Sequence, residues 1–404
     1  MARVVIKFGG TSLGNIEQIT KVAHLIKKKK TSNNEIIVVV SAMAGVTNDL
    51  IEKSKQISKN YDKAELDVLL TAGEQMSSSL LSAALIDQGC KSRSWQSWQI
   101  PIITEGSHNA SRIFKVNTDE INNFLKSGGI PVIPGFQGIS NLLRLTTIGR
   151  GGSDASAVAI AKFFDADLCE IYTDVEGVYT TNPNIHSGAK KIEKISYEEI
   201  LEMASLGTKI MQASAVQIAM LNNISIHVRS TFSENEGSKI LPDAKLDYNK
   251  SVTGISFSKN DAKITLIGVK DRPGVAASIF EPLGKNDINV DMVIQNISPD
   301  GKETDVTFTI KRDELNKSIK LMDEIRTKIK YKKLVYDDKV AKVSIIGAGM
   351  IVSPGITYKM FKSLADENIN IIAISTSEIK ISILVNEEKT AEAVKILHKN
   401  FKLD

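Results

Sequence analysis

Only two cysteines, Cys90 and Cys169, occur in 404 residues, and they stand far apart. Isolated thiols exclude a disulfide framework and fit a reducing compartment. The five histidines (His24, His108, His186, His227, His398) are scattered, with no HExxH and no CxxC, which argues against a zinc site. No apolar stretch reaches the length of a membrane span, and residues 1–12 do not resemble a secretion signal. Net charge is only +4. The basic run Lys27 to Lys30 has no aromatic residues interleaved, so it reads as a solvated helix end suited to the macrodipole rather than a nucleic-acid patch. GxxxxGK[ST] is missing, and so is GxGxxG after a strand, so any phosphate is handled by another fold. The expectation is a soluble cytoplasmic protein whose partners are neither membrane nor nucleic acid.

What is present is an ordinary globular composition, 42% hydrophobic and 24% charged, long enough for more than one domain. Val4-Val5-Ile6 is a β-branched run with a single charge, Lys7, at its end, followed by Phe8-Gly9-Gly10-Thr11-Ser12. Such a run predicts a strand buried on both faces of a parallel sheet, whose carboxyl end borders the ligand crevice. Lys7 then faces a ligand, the glycines let backbone N–H groups approach it, and Thr11 or Ser12 can cap the helix starting near Asn15. A Gly-Gly turn beside a snorkelling lysine is the plainer reading.

A second strand at 36–40 opens into Ser41-Ala42-Met43-Ala44-Gly45-Val46-Thr47. A helix over 66–86 carries Glu74, the lone acid among the apolar and small residues from Val68 to Ile86, beside Gly73. It is either a solvated helix acid or a point of close approach. Gly149-Arg150-Gly151-Gly152-Ser153-Asp154 is either a tight turn with Ser/Asp capping or an anion-binding turn. In the second case Arg150 grips a carboxylate, and Asp154 serves a metal or a lysine. A strand at 170–172 ends in Thr173-Asp174-Val175-Glu176-Gly177-Val178-Tyr179, a loop fit for a nucleobase and ribose or simply a surface loop. Lys209 follows near Gly207. Strands and helices alternate through 1–245, which indicates an α/β sandwich with a largely parallel sheet.

Taken in order, KFGGTS at 7–12, SAMAGVT at 41–47, TAGEQ at 71–75, GRGGSD at 149–154 and TDVEGVYTTNP at 173–183 resemble the aspartokinases of the amino-acid kinase superfamily. The resemblance implies an ATP-dependent phosphotransferase acting on the side-chain carboxylate of L-aspartate to give 4-phospho-L-aspartate. That product enters lysine, threonine, methionine and diaminopimelate biosynthesis. It also implies roles. Lys7, with the Gly9 and Gly10 amides, would hold the ATP phosphates, and Lys209 would reach them from the other side. Ser41 and Thr47 would line the aspartate pocket, with Glu74 on the α-amino group and Arg150 on the α-carboxylate. Asp154 would organise Mg2+ and the lysines, while Thr173, Asp174, Tyr179 and Ile210 would contact the nucleotide. A carboxylate nucleophile is already ionised at neutral pH, so no general base is needed, and positioning with cationic stabilisation carries phosphoryl transfer. In one departure, Asn184 stands where many relatives carry arginine. Rival readings are a superfamily kinase for glutamate, acetylglutamate, carbamate or UMP, and a catalytically silent amino-acid sensor.

From Ser251 the character changes. Asp271-Arg272-Pro273-Gly274 and Val352-Ser353-Pro354-Gly355 lie 81 residues apart, and at that offset Gly268 matches Gly349, Phe280 matches Phe361, and Asn289 matches Asn370. A fixed offset marks a tandem repeat, and each copy, opening on a short strand (264–269 and 343–346), has the βαββαβ order of a ferredoxin-like unit. The copies resemble paired ACT domains, regulatory modules that bind amino acids. The implied plan is a catalytic domain at 1–245, an inserted ACT domain at 264–335, and a second ACT domain from 250–260 and 340–404. Residues matching effector contacts are Asp271 (unless it merely caps the next helix), Ala276, Asn289, Asp291 and Gln295, with Asn370, Ile371 and Glu378 in the second copy. Lysine, threonine or both are the expected effectors, and a homodimer or higher oligomer through the ACT domains the expected assembly.

Overall fold

Strand Ala2–Phe8 lies near the centre of an eight-stranded sheet. The order across it is Lys194–Ser196, Ser238–Leu241, Ile226–Ser230, Leu168–Thr173, Ala2–Phe8, Asn34–Val40, Ile130–Pro134 and Ser92–Ser94. Neighbours pair in parallel except Ile226–Ser230 with Ser238–Leu241. This is a computed structural model that describes residues 2–31, 33–149, 151–205, 211–242, 250–298 and 301–404. The described residues of Met1–Val178, Lys191–Ser205 and Lys209–Asp247 form one unit. Those of Tyr179–Lys190 and Tyr248–Asp404 belong to a second. No described helix is long and apolar enough to cross a membrane.

The central strands are apolar runs because helices cover both faces of a parallel sheet; Val5, Ile6, Phe8 and all of Ile36 to Val40 are buried. The chain begins in the middle of the sheet and builds outward both ways, so Ala2–Phe8 stands where the strand order reverses. Ligands bind outside the carboxyl ends of strands at such a point. Helix Ile16–Lys29 packs Ile19, Val22, Ala23 and Ile26 on the sheet. Its cap is Asn15, which accepts from the Gln18 N–H at 2.9 Å. Thr11 and Ser12, expected in that role, instead form a short 3-10 turn, and the buried Ser12 hydroxyl finds Thr231 Oγ1 at 2.6 Å. Nor is the basic helix end wholly solvated. Lys29 reaches both oxygens of the buried Glu170 at 2.9 and 2.8 Å, because a buried carboxylate needs a cation.

The second unit is a six-stranded antiparallel sheet, ordered Val293–Ile297, Glu303–Lys311, Gly254–Lys270, Lys333–Ile346, Lys380–Asn386 and Ala373–Thr376. The short strands expected at 264–269 and 343–346 are parts of two long ones. Irregular register near Ser258 and Asp261 lets one strand serve both copies. Each copy keeps its own core, Ala262, Ile279, Phe308 and Met322 in one and Ile255, Met360, Ile383 and Leu397 in the other. The repeat is equally visible in the backbone: Gly274 and Gly355 enter their helices at φ 86° and 85°, a left-handed conformation that favours glycine.

Candidate active site

Lys7 is the penultimate residue of the central strand, 8% exposed, level with Val39 and Ile171 in the neighbouring strands. Its ammonium lies 2.5 Å from Asp154 Oδ1, and Asp154 is itself 8% exposed. The sequence left Asp154 open between a cap, a metal ligand and a partner for a lysine. Here it pairs with Lys7, and helix Gly152–Phe163 has no side-chain cap, its first turn following Gly151 in the left-handed region. Burying both charges is tolerable only because they neutralise each other; removing either costs roughly 3–5 kcal/mol.

Beside this pair the two strand-end loops are joined: the Ser41 N–H donates to the Phe8 carbonyl at 3.1 Å and the Ala44 N–H to the Gly10 carbonyl at 3.1 Å. Thr47 falls in the first turn of helix Val46–Ile57. Glu74, on helix Lys63–Asp87, is not a solvated acid. It is 4% exposed, and the Ala42 N–H donates to its Oε1 at 3.0 Å. Its Oε2 is buried with no hydrogen-bond partner among the described residues. Burial pushes the carboxyl up to about 7, against the Ala42 hydrogen bond and the Lys7 charge, which pull it down. The close approach expected at Gly73 is also real, and its partner is the loop. A Cβ on Gly73 would lie 2.7 Å from that of Ala42.

Thr173 ends strand Leu168–Thr173, beside the central strand, and Asp174 follows it, with the Thr173 hydroxyl donating to Asp174 at 3.0 Å. Lys7, Gly9, Gly10, Ser41, Thr47, Glu74, Asp154, Thr173 and Asp174 thus all lie in the first unit. Tyr179 and the exposed Asn184 belong to the second. Arg150, Lys209 and Ile210 lie outside the described residues.

Sequence reasoning missed Asp67. This carboxylate is fully buried one helical face before Glu74, and it takes the Thr147 hydroxyl at 2.6 Å, His108 Nδ1 at 2.6 Å and the Asn109 N–H at 3.2 Å. It ties helix Lys63–Asp87 to the strand leading into Gly149–Asp154. Its only sequence signal is an acid seven residues before Glu74, hence on the same helix side.

In the second unit, Asp271 does not cap the next helix, which has no side-chain cap. Ala276, Asn289, Asp291, Gln295 and Asn370 are exposed and Ile371 half-buried. Asp291 is paired with the Lys342 ammonium. Glu378 helps to line a cavity of about 480 Å3 formed by Met350 to Thr357 with Thr376, Ser377 and Ile381.

Comparison with known proteins agrees with this architecture. The model of the amino acid kinase family matches residues 2–230, and an ACT-domain model matches 264–324 and 343–401. An aspartate kinase of Pseudomonas putida is 44% identical over 405 residues, covering 100% of this chain and 98% of its own. An aspartokinase of Mycolicibacterium smegmatis is 41% identical, with 100% and 97% covered. Among solved structures, E. coli aspartokinase III in complex with aspartate and ADP superposes with a TM-score of 0.82 at 24% identity, covering 98% of this chain and 99% of that one.

Proposed function

The chain belongs to the amino acid kinase family, among its aspartate kinases, and from that premise we propose how its residues carry the reaction. The enzyme transfers the γ-phosphoryl group of ATP to the side-chain carboxylate of L-aspartate, and its ACT domains make it subject to amino-acid control. The observation that carries the residue assignment is the Lys7–Asp154 pair at the switch point, beside a buried Glu74 with one unpartnered oxygen.

Attack of a carboxylate on a phosphoryl group brings anion to anion. Lys7, at the tip of the central strand, is assigned to the transferring phosphates with the Gly9 and Gly10 amides, and its positive charge offsets the repulsion. Glu74 Oε2 accepts no hydrogen bond among the described residues and is assigned to the α-ammonium of aspartate. That cation would hold Glu74 ionised, a state burial opposes in the empty site. Ser41 and Thr47 are assigned to the same substrate, Arg150 to its α-carboxylate, and Thr173, Asp174, Tyr179, Lys209 and Ile210 to the nucleotide. Asp154 offers the hard oxygen that Mg2+ prefers, so it is the residue that would hold the ion. Bound there, Mg2+ would supply charge neutralisation on the phosphates. Catalytic residues are then Lys7, Asp154 and Lys209.

The proposed domain plan is a catalytic domain over 1–245, one ACT domain over 264–335, and a second from 250–260 with 340–404. Lysine, threonine or both are the proposed effectors, with Asp271, Ala276, Asn289, Asp291, Gln295, Asn370, Ile371 and Glu378 as contacts. The proposed assembly is a cytoplasmic homodimer or higher homo-oligomer through the ACT domains. ADP release with L-aspartate and MgATP tests the assignment, repeated with each effector alone and with both. Full turnover in a Lys7→Ala variant would overturn the site, and no response to either amino acid would overturn the effectors.

A further inference from the structure

Two of the scattered histidines meet in the second unit. His186 lies in the turn Asn182 to Ala189, closed by its own N–H on the Asn182 carbonyl at 3.1 Å and by the Ala189 N–H on its carbonyl at 3.1 Å. His398 ends the buried face of helix Thr390–Asn400. Beyond it the chain turns through Lys402 in the left-handed region (φ 56°) and seats Leu403 in the core, 2% exposed. That turn brings Asp404 back. Its Oδ1 lies 2.6 Å from His186 Nε2 and 2.7 Å from His398 Nδ1. The three donor atoms lie within 4.8 Å of one another. The rings are tilted at 54° with centroids 4.4 Å apart, so they converge instead of stacking.

We propose that His186, His398 and Asp404 form a binding site for a divalent transition-metal ion of the zinc type, separate from the Mg2+ that accompanies the nucleotide. Two imidazole nitrogens and one carboxylate oxygen form the three-ligand set that zinc takes with an open fourth position. Mg2+ and Ca2+ prefer oxygen alone. An outer partner is already in place: His398 Nε2 lies 2.8 Å from Thr180 Oγ1, which accepts the Lys190 N–H at 2.9 Å. Metal binding would displace the Nδ1 proton that His398 now directs at Asp404, and a proton on Nε2 directed at Thr180 would hold the ring with Nδ1 toward the ion. Gly188 closes the group from one side, since a Cβ there would lie 2.7 Å from Asp404 Oδ1 and 2.8 Å from His186 Nε2. Asp404 Oδ1 now hydrogen-bonds to both rings, and an ion would spread those two contacts to roughly 3.3 Å, the edge of a tetrahedron with bonds of about 2.0–2.1 Å. The half-exposed Asp404 side chain is free to make that movement. Lys190, whose charge acts on His398, works against it. A bound ion would clip the segment Tyr179–Lys190 to helix Thr390–Asn400.

The test uses the full chain without a histidine tag, stripped with a chelator and titrated with Co2+ and then Zn2+ in excess Mg2+. The expected result is one equivalent of Co2+ with the visible absorption of a low-coordinate site, displaced by Zn2+ but not by Mg2+. His186→Gln and Asp404→Ala, checked for folding by circular dichroism, should each weaken binding at least roughly 10–100-fold, because even outer partners of metal ligands are worth that much. A wild-type chain that takes up no stoichiometric Co2+ would overturn the proposal. So would undiminished affinity in the folded variants. If His186→Gln fails to fold, Asp404→Ala, which alters an exposed side chain, decides alone.

Discussion

Replacing Glu74 with glutamine separates what the carboxylate costs the fold from what it does for the substrate. Burial raises Glu74 from an ordinary 4.5 to about 7 in the folded chain. As pH rises, the unfolded chain therefore loses this proton first and the folded chain later. Stability is lost between those two values and stays constant above them. At about 1.4 kcal/mol per pH unit, the full difference is at most about 3.5 kcal/mol. Glu74→Gln keeps the shape and the hydrogen bond from the Ala42 N–H but has no proton to lose. The variant should match wild type near pH 4.5 and become more stable by up to about 3.5 kcal/mol at pH 8, read from urea unfolding of the ligand-free protein followed by fluorescence. Aspartate binding should move the opposite way. The wild-type KM for aspartate should fall as pH rises through about 7, while the variant shows a higher KM with that pH dependence gone. Equal pH dependence of stability in both proteins would refute the burial argument. An unchanged KM would refute the substrate role alone.

Lys7→Ala should lower kcat roughly 10²–10³-fold by loss of one preorganised cation, and it should also destabilise the chain by leaving Asp154 buried without its partner; stopped ADP-release assays and a thermal melt read the two effects. Asp67→Asn weakens the acceptor shared by Thr147, His108 and Asn109, and should cost about 1–3 kcal/mol in urea unfolding, with kcat reduced although Asp67 faces no substrate. Gly73→Ala places a methyl 2.7 Å from the Ala42 Cβ, so the 41–47 loop must shift; the expected result is a raised KM for aspartate and an overpacking cost of about 1–3 kcal/mol.

Local pattern carried much of the catalytic unit. The Val4–Ile6 run with Lys7 at its end was enough to place a buried strand and a charge at its tip, because period and burial are properties of neighbours in sequence. The family resemblance then gave Glu74 and Asp154 roles their surroundings alone left open. What local pattern withheld were contacts made at long range. That Gly73 meets Ala42, that Asp67 gathers three donors, and that His186 meets His398 across more than half the chain has no periodicity to announce it. The two long strands of the second unit failed for another reason. A strand that changes partner halfway through an irregular register reads, residue by residue, as two short ones.

One consequence follows from chain connectivity. Thr173 and Asp174 end a central strand of the first unit, and a few residues later the same chain becomes part of the second, from Tyr179 to Lys190. That segment is not loosely attached there. Its Thr180 carbonyl accepts the Ile255 N–H at 2.7 Å, its Thr180 hydroxyl meets His398, and Ile185 packs against the core of the second repeat. A short covalent link between two ordered anchors transmits displacement with little slack, whereas a long loop would absorb it. This link ends at Thr173 and Asp174, whereas Glu74 hangs from a helix wholly inside the first unit. If those threonine and aspartate side chains do hold the nucleotide, feedback should be felt first as a change in the KM for ATP, and only secondarily in that for aspartate.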